Sequence, residues 1–502
     1  MKTRTIVDSG FEGIVADVEC QISNGLPSII IVGFASKAVD EAKERIRAAF
    51  SSNQIPFPKK RITINLAPAD LPKNQTGLDL AIATSILQSS KAVQPINKQS
   101  VFFGEIGLDG NIRAIRGIIG KLLAAKKHNL HEVYLPLDNL EQAKLVQGLN
   151  LYPVKDLKSL YLHLAKATLI QPISAYKVSP PHNSDTIQDD FSDVVGQSQA
   201  KRILEIAAAG AHNVLLNGPP GTGKSMLAKA FVSILPPMTI KEILETTHLH
   251  SLQRQDYEIV RYNRPFRSPH HSASETAVTG GGTNPRPGEI SLSHNGVLFF
   301  DEFPEFKRST IESLRQPLED GKITISRAKD SIDFPAKFIL LATANPCPCG
   351  YFGTDKECTC SPHHIYSYRK KISGPIIDRI DLYANVENVE HAKLLENNHG
   401  TDTSSMVRER VEKARAIQTQ RFKIGRTNST MHSREVKKYA QLTDTARNLL
   451  DKGASRLELS PRAYMRTLKV SRTIADLDES EVILDKHIAE ALQYRPIYNS
   501  NL

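Results

Sequence analysis

Asn213–Leu235 reads NVLLNGPPGTGKSMLAKAFVSIL, and this stretch decides the fold. Val214, Leu215 and Leu216 form a short apolar run that reads as a buried strand. GPPGTGKS, Gly218–Ser225, fits the pattern G-x-x-x-x-G-K-[ST], and the following residues have the composition of a helix. Strand, glycine-rich loop and helix in that order make a phosphate cradle. Gly218, Gly221 and Gly223, with Pro219, Pro220 and Thr222 between them, let backbone N–H groups turn inward. The helix N-terminus adds a partial positive charge. Lys224 is placed to reach the β and γ phosphates of ATP. Ser225 offers its hydroxyl to Mg²⁺, and Met226 ends the nucleotide-contacting stretch.

The rest of such a site lies downstream. Gly296–Glu302, GVLFFDE, is an apolar strand ending in two acids. Asp301 would hold Mg²⁺ through water, and Glu302 would orient and polarise the attacking water. A lone run of this kind is ordinarily a strand end with solvated carboxylates; its position after the phosphate loop favours the catalytic reading. A third apolar run, Phe338–Ala344, ends at Asn345, whose amide can sit beside the γ-phosphate. Asn before Pro is also common turn chemistry.

Composition bounds the remainder. The chain has 502 residues, 40% hydrophobic and 24% charged, too apolar for a disordered chain. No apolar run approaches the roughly 18–20 residues that span a bilayer, so no membrane partner is expected. The start, MKTRTIVDSGFEG, lacks the apolar stretch of a signal peptide, and a cytoplasmic location is expected. The net charge of +10 fits a polyanionic partner without requiring one. Five cysteines exclude a disulfide scaffold, yet four fall within 347–360.

Residues 1–168 read as an α/β domain. Ile14, Ala16, Val18, Cys20 and Ile22 alternate as on one strand face, and Ile62, Ile64 and Leu66 repeat the pattern. Lys37–Phe50, Leu78–Leu87 and Gly117–Lys127 read as helices. Residues 169–190 are polar, Pro-containing and aperiodic, and read as a linker. A second α/β unit, 191–390, holds the phosphate loop. The tail, 400–502, is helical in pattern.

GPPGTGKS, VLFFDE and ATANP in this order resemble the AAA+ ATPases. The stretch 264–302, RPFRSPHHSASETAVTGGGTNPRPGEISLSHNGVLFFDE, is similar to the magnesium-chelatase-like branch. With its N-terminal domain and NPCPCG segment, nearly the whole chain resembles the ComM family, also called YifB. That resemblance implies an α/β protein: a P-loop AAA+ parallel-sheet core, a C-terminal helical lid, and an N-terminal Lon-protease-like, ribosomal-S5-like α/β domain. It implies a homo-hexameric ATPase acting on single-stranded and branched DNA. The implied task is helicase-driven branch migration during homologous recombination in natural transformation, on recombinase–DNA intermediates. By the same resemblance, Arg379 in GPIIDRID stands where an arginine finger reaches the neighbouring subunit's ATP. Arg462 in LSPRAYMR stands where a sensor-2 arginine touches the γ-phosphate of its own subunit. A surface salt bridge is the plain alternative for either. Val195, Gly196 and Gln197 match the segment lining the adenine pocket.

Two N-terminal passages, 66–83 and 103–127, resemble the Lon proteolytic domain. A Lon-type protease needs a Ser nucleophile and a Lys base. Gly77 stands at the Ser position and Ile119 at the Lys position, so a protease fold without protease chemistry is expected. A shifted Thr76/Lys121 pair is the alternative.

Cys347-Pro-Cys349 and Cys358-Thr-Cys360 form C-x-C-x8-C-x-C. Four thiolates this close, with Gly350 and Gly353 allowing tight turns, can close a structural tetrahedral Zn²⁺ site. An iron–sulfur centre or a redox switch are the other readings; His363 or His364 could substitute for a ligand.

Two segments are candidate channel loops for DNA. Asn284 and Arg286 would project from the Gly/Pro-rich stretch 279–291, and Arg327 and Lys329 would sit at the turn of a hairpin over Gly321–Ala336. Each would meet backbone phosphates, or be an ordinary solvated tip. The tail 401–502 carries 19 Lys/Arg against 13 Asp/Glu. Arg421, Lys423, Arg426, Arg434, Lys437 and Lys438 cluster there, as a second phosphate-contacting patch or a solvated helix face. The rival functions are a metal-chelatase-type motor, an ATP-dependent protein unfoldase or protease, and a nucleotide-dependent scaffold.

Overall fold

The structure, a computed structural model, describes residues 1–32, 37–68, 76–174, 189–253, 257–282, 285–326, 331–388, 402–422 and 425–496. The chain is mixed α/β with a parallel five-stranded sheet and a helical C-terminal region.

In the N-terminal part, strands Lys2–Ser9 and Glu12–Ser23 pair antiparallel through a turn at Gly10. Arg61–Ala67 adds antiparallel to the second of them, and Ser28–Val32 adds parallel to Arg61–Ala67. Ala16, Val18 and Cys20 are buried as the alternation requires, but Ile14 is exposed at the strand's open end. A second sheet orders Ile173–Ser174, Asn150–Val154, Glu132–Pro136 and Ser100–Phe102. The first of these falls inside the stretch read as linker. A two-residue edge strand carries no periodicity, so sequence gave no sign of it. Helices Lys37–Ser52, Asp79–Ser89 and Ile118–Lys127 cover the sheets. Asp79–Ser89 is almost wholly buried.

The central sheet orders Phe266–Arg267, Val297–Phe300, Ile339–Ala344, Val214–Asn217 and Leu382–Asn385, all parallel. Strands buried on both faces read as continuous apolar runs, which is why VLL, VLFF and ILLA are legible. The C-terminal helices close the same core: Val407, Val411, Ala414, Val470 and Ile474 pack with Val214 and Leu216. Helix Pro461–Leu477 is capped by the Ser460 side chain, which accepts from the Ala463 N–H.

The N-terminal part is docked on the central one. Met238 and Ile243 pack in the N-terminal core, while Phe11 packs against the central core. His248, fully buried on helix Ile240–Gln253, places Nε2 2.9 Å from the Phe11 carbonyl. Among the described residues, no helix is long and apolar enough to cross a membrane.

Candidate functional site

Because the central strands run parallel, their C-terminal ends share one edge. Asn217, Phe300 and Ala344 therefore deliver Gly218–Ser225, Asp301–Glu302 and Asn345 to the same place. Lys224 lies at its centre. Its Nζ donates to the Gly218 carbonyl at 2.5 Å, the Pro219 carbonyl at 2.8 Å and Asn345 Oδ1 at 3.1 Å. Burial pushes its ammonium down to about 8, although Asp301 and Glu302 favour the charged form.

The glycines serve different ends. Gly221 and Gly223 have φ of +83° and +85°, and a Cβ at either would meet nothing within 4 Å among the described residues. Their backbone turns face open space, as a phosphate cradle needs. Gly218 is a packing glycine: a Cβ there would lie 2.2 Å from the Val386 carbonyl.

Ser225 Oγ donates to Asp301 Oδ2 at 3.1 Å, so a hydroxyl and a carboxylate converge as a Mg²⁺ ion requires. The other Asp301 oxygen accepts from the buried Thr343 hydroxyl at 2.7 Å. The same Thr343 oxygen accepts the Glu302 N–H at 2.8 Å. Glu302 itself is left-handed, with φ of +53°. Sequence reasoning missed Thr343; its signal was the one hydroxyl inside a wholly buried strand, ILLATA. Gln197 follows left-handed Gly196 and donates through Nε2 to the Glu387 carbonyl at 2.6 Å. That holds the turn Val195–Gln197 near the loop, where Nε2 also lies 3.5 Å from the Thr222 carbonyl. Met226 is partly exposed beyond it.

The four cysteine sulfurs lie within 4.8 Å of one another. Cys347–Cys349, Cys347–Cys358 and Cys349–Cys358 separations are 3.3, 3.7 and 3.6 Å. A tetrahedral site with Zn–S near 2.3 Å has edges of about 3.8 Å, so the donor set fits Zn²⁺. The Tyr351 N–H holds the Cys349 thiol low, at about 6. His363 and His364 are exposed and outside this group.

Arg379 and Arg462 are brought together, but not at this site. Arg379 is buried, ion-paired to Glu319 and bonded to the Pro375 carbonyl at 2.6 Å, and its Nε has no partner among the described residues. Arg462 reaches the other Glu319 oxygen at 3.5 Å. Arg379 precedes strand Leu382–Asn385, whose first residue pairs with Val214, whereas Gly218 follows Asn217 at the opposite end. A four-residue strand, about 13 Å, separates the two ends. Arg462, expected at the γ-phosphate of its own chain, stands here with Arg379 on Glu319. Arg379 does not project freely either, because Glu319 draws it inward.

In the N-terminal part, a Cβ at Gly77 would meet Ile115 at 3.2 Å, and Ile119 is buried in the core. Lys121 is buried and ion-paired to Asp8, which leaves no free amine for a shifted pair. The Thr76 side chain lies outside the described residues.

Asn284, Arg327 and Lys329 also lie outside the described residues. Around them, Gly280–Gly281 pairs with Arg286–Pro287, leaving Arg286 exposed. Lys322–Ser326 pairs antiparallel with Ser331–Pro335, so the hairpin stem is present. In the tail, Arg421 is bidentate to Asp476 and Arg426 to Glu435, so these two are structural rather than free for phosphate. Arg434, Lys437 and Lys438 belong to helix Ser433–Tyr439 or its first turn, while Lys423 lies outside the described residues.

A parallel sheet with a phosphate loop, an acidic strand end and a polar third strand end defines a nucleotide-binding protein of the AAA+ class. Family models agree region by region. Residues 18–139 match "Subunit ChlI of Mg-chelatase", 190–394 match "Magnesium chelatase, subunit ChlI", and 401–495 match its C-terminal part. The chain is 43% identical to competence protein ComM of Haemophilus influenzae, covering 97% of this chain and 95% of that protein. It is 41% identical to YifB of Escherichia coli, covering 96% and 94%. Similarity to magnesium-chelatase subunit ChlI of Euglena gracilis is narrower, 25% identity over 31% of this chain. The chain belongs to the ComM/YifB family, with a magnesium-chelatase-type AAA+ domain.

Proposed function

We propose that this protein is an ATP hydrolase that works as a ring hexamer and translocates on single-stranded and branched DNA. In this reading it drives branch migration of recombination intermediates during natural transformation. The observation that carries the ATPase reading is the convergence of Lys224, Ser225, Asp301, Glu302 and Asn345 on one open cradle. The nearly full-length match to ComM supports the task.

In this mechanism the N–H groups around Gly221 and Gly223 bind the phosphates, and Lys224 exchanges its carbonyl partners for phosphate oxygens. Ser225 and Asp301 would hold Mg²⁺, which would supply charge neutralisation on the phosphates. Thr343 fixes the Asp301 carboxylate and the Glu302 backbone together, so that Glu302 can take a proton from water. Asn345 positions that water, and Val195–Gln197 contacts the adenine.

Arg379 and Arg462 act in this scheme on a neighbour's nucleotide. Both stand at the sheet edge opposite the chain's own phosphate loop, so both leave Glu319 for the next subunit's phosphates in the ring. A planar cation there spreads transition-state charge. Residues 1–168 serve assembly or docking, 191–390 form the motor with its zinc-binding insert 347–360, and 400–502 form the lid. Arg286, with Asn284, Arg327 and Lys329, lines the channel. The relevant test compares ATP hydrolysis with and without single-stranded and forked DNA, in wild type and Glu302→Gln. Stimulation and strand displacement by the wild type alone are expected. An ATPase indifferent to DNA that displaces no strand removes the translocase reading.

A metal-chelatase-type motor is the second reading, favoured by the three ChlI-type matches. Porphyrin metallation in the presence of chelatase partner subunits would establish it.

A further inference from the structure

The cysteine module and the phosphate loop touch. Gly350, between Cys349 and Cys358, has φ of +88°, and a Cβ there would lie 2.6 Å from Pro220 Cδ and 3.1 Å from its Cγ. Pro220 is a rigid ring inside GPPGTGKS, so it has no flexible end to swing aside. Two further links run from the module to the same cradle. Cys347, fully buried, is two residues from Asn345, whose side chain accepts from Lys224 at 3.1 Å. On the other side, Cys360 leads into helix Pro362–Arg369, and the buried Tyr368 hydroxyl is hydrogen-bonded to the Asn345 backbone. Arg369 stacks on Phe352 within the loop, with its guanidinium 5.3 Å from the ring centroid.

The module thus brackets the cradle at Pro220 and at both sides of Asn345. The segment 347–360 contains no strand or helix. Two turn hydrogen bonds, Gly350 N–H to the Cys347 carbonyl at 3.0 Å and Thr354 N–H to the Tyr351 carbonyl at 3.1 Å, and the convergence of the four sulfurs hold its shape in place of a backbone ladder.

We infer that the four-cysteine module is a positioning clamp for the nucleotide loop: Zn²⁺ held by Cys347, Cys349, Cys358 and Cys360 fixes Gly350 under Pro220 and Asn345 beside Lys224. The clamp rests on the ATP-site and zinc readings above. The residues act through Pro220 and Asn345 rather than on the nucleotide, so they are positioning residues. Loss of the metal releases Pro220, loosens the cradle and weakens nucleotide binding, without removing any group that touches phosphate.

Gly353 supplies an internal control. It lies in the same loop with φ of +77°, yet a Cβ there meets nothing within 4 Å among the described residues. Gly350→Ala and Gly353→Ala therefore impose the same kind of backbone strain, but only the first collides with the phosphate loop.

The experiment uses the full chain. Bound zinc is counted by metal analysis, and affinity for a fluorescent ATP analogue is measured by equilibrium titration. Wild type, Gly350→Ala, Gly353→Ala, Lys224→Ala and wild type stripped by a zinc chelator are compared. One zinc per chain is expected in the first four. Affinity should fall about tenfold in Gly350→Ala and in the stripped protein, stay within twofold in Gly353→Ala, and return when zinc is restored. Equal affinity in Gly350→Ala, or in stripped protein that circular dichroism shows folded, overturns the clamp. Loss of affinity in Gly353→Ala as large as in Gly350→Ala overturns it too. If Lys224→Ala also binds normally, the ATP-site reading fails; if zinc is absent throughout, the metal reading fails.

Discussion

The phosphate loop and the Gly77/Ile119/Lys121 region both resemble catalytic templates, and they have been treated oppositely. At the phosphate loop, Gly221 and Gly223 face empty space and Lys224 is held at about 8, its charge costly until a polyanion arrives. In the N-terminal part, the space is filled. Ile119 is in the core, Gly77 faces Ile115, and Lys121 is neutralised by Asp8. A binding site keeps an unfilled cradle and an incompletely compensated charge; a scaffold spends both on packing.

The sharpest way to break this contrast is at Arg379, on the proposal that it serves a neighbour's nucleotide. Arg379→Ala should lower hydrolysis by the assembled protein about 10³-fold, with nucleotide affinity of each chain retained, checked by steady-state ATPase and titration. Hydrolysis near the wild-type rate would put the catalytic charge within one chain. Glu302→Gln should come next, with hydrolysis reduced roughly 10²–10³-fold while bound ATP accumulates.

Acidity sharpens the same comparison. Lys224 is charged below about 8 and loses its proton above it, so affinity for ATP should fall as pH rises from 8 to 9, by about tenfold at most. Calorimetry in buffers of different ionisation heat should show proton uptake on binding near pH 8.5. Stability of the free protein moves the other way. The cost of charging a buried amine is fully present below about 8 and is relieved as pH rises towards 10.5.

Smaller effects belong to the filled region. Lys121→Met should destabilise the N-terminal part by about 1–3 kcal/mol in urea melts, since it removes the buried ammonium's ion pair with Asp8. Its ATPase rate should stay within twofold. Thr76→Ala should have the least effect of all, with no change in ATPase and no casein cleavage before or after; cleavage lost on that change would revive the protease.

Legibility in the sequence followed locality. Asp301, Glu302 and Asn345 follow the ends of short apolar runs, Lys224 and Ser225 close the glycine-rich loop that follows another, and the buried parallel strands made those runs visible. The four cysteines announced their cluster by spacing alone. Thr343 was hidden as one hydroxyl in a core strand. Gly350 looked like a turn residue until Pro220 appeared beside it. The docking of Phe11 against His248 joins residues more than 230 positions apart, and no pattern within either segment encodes it.

Chain order and residue type determined the strand–loop–helix cradle, the acids that face it and the four-cysteine cluster, because each is written within a few neighbouring positions. Only the folded arrangement decided that Arg462 joins Arg379 on Glu319 at the far edge, that Lys121 is consumed by Asp8, and that a cysteine loop lies under the phosphate loop. Those outcomes depend on which strand ends lie side by side and which way they run, and sheet order is fixed by packing between distant segments.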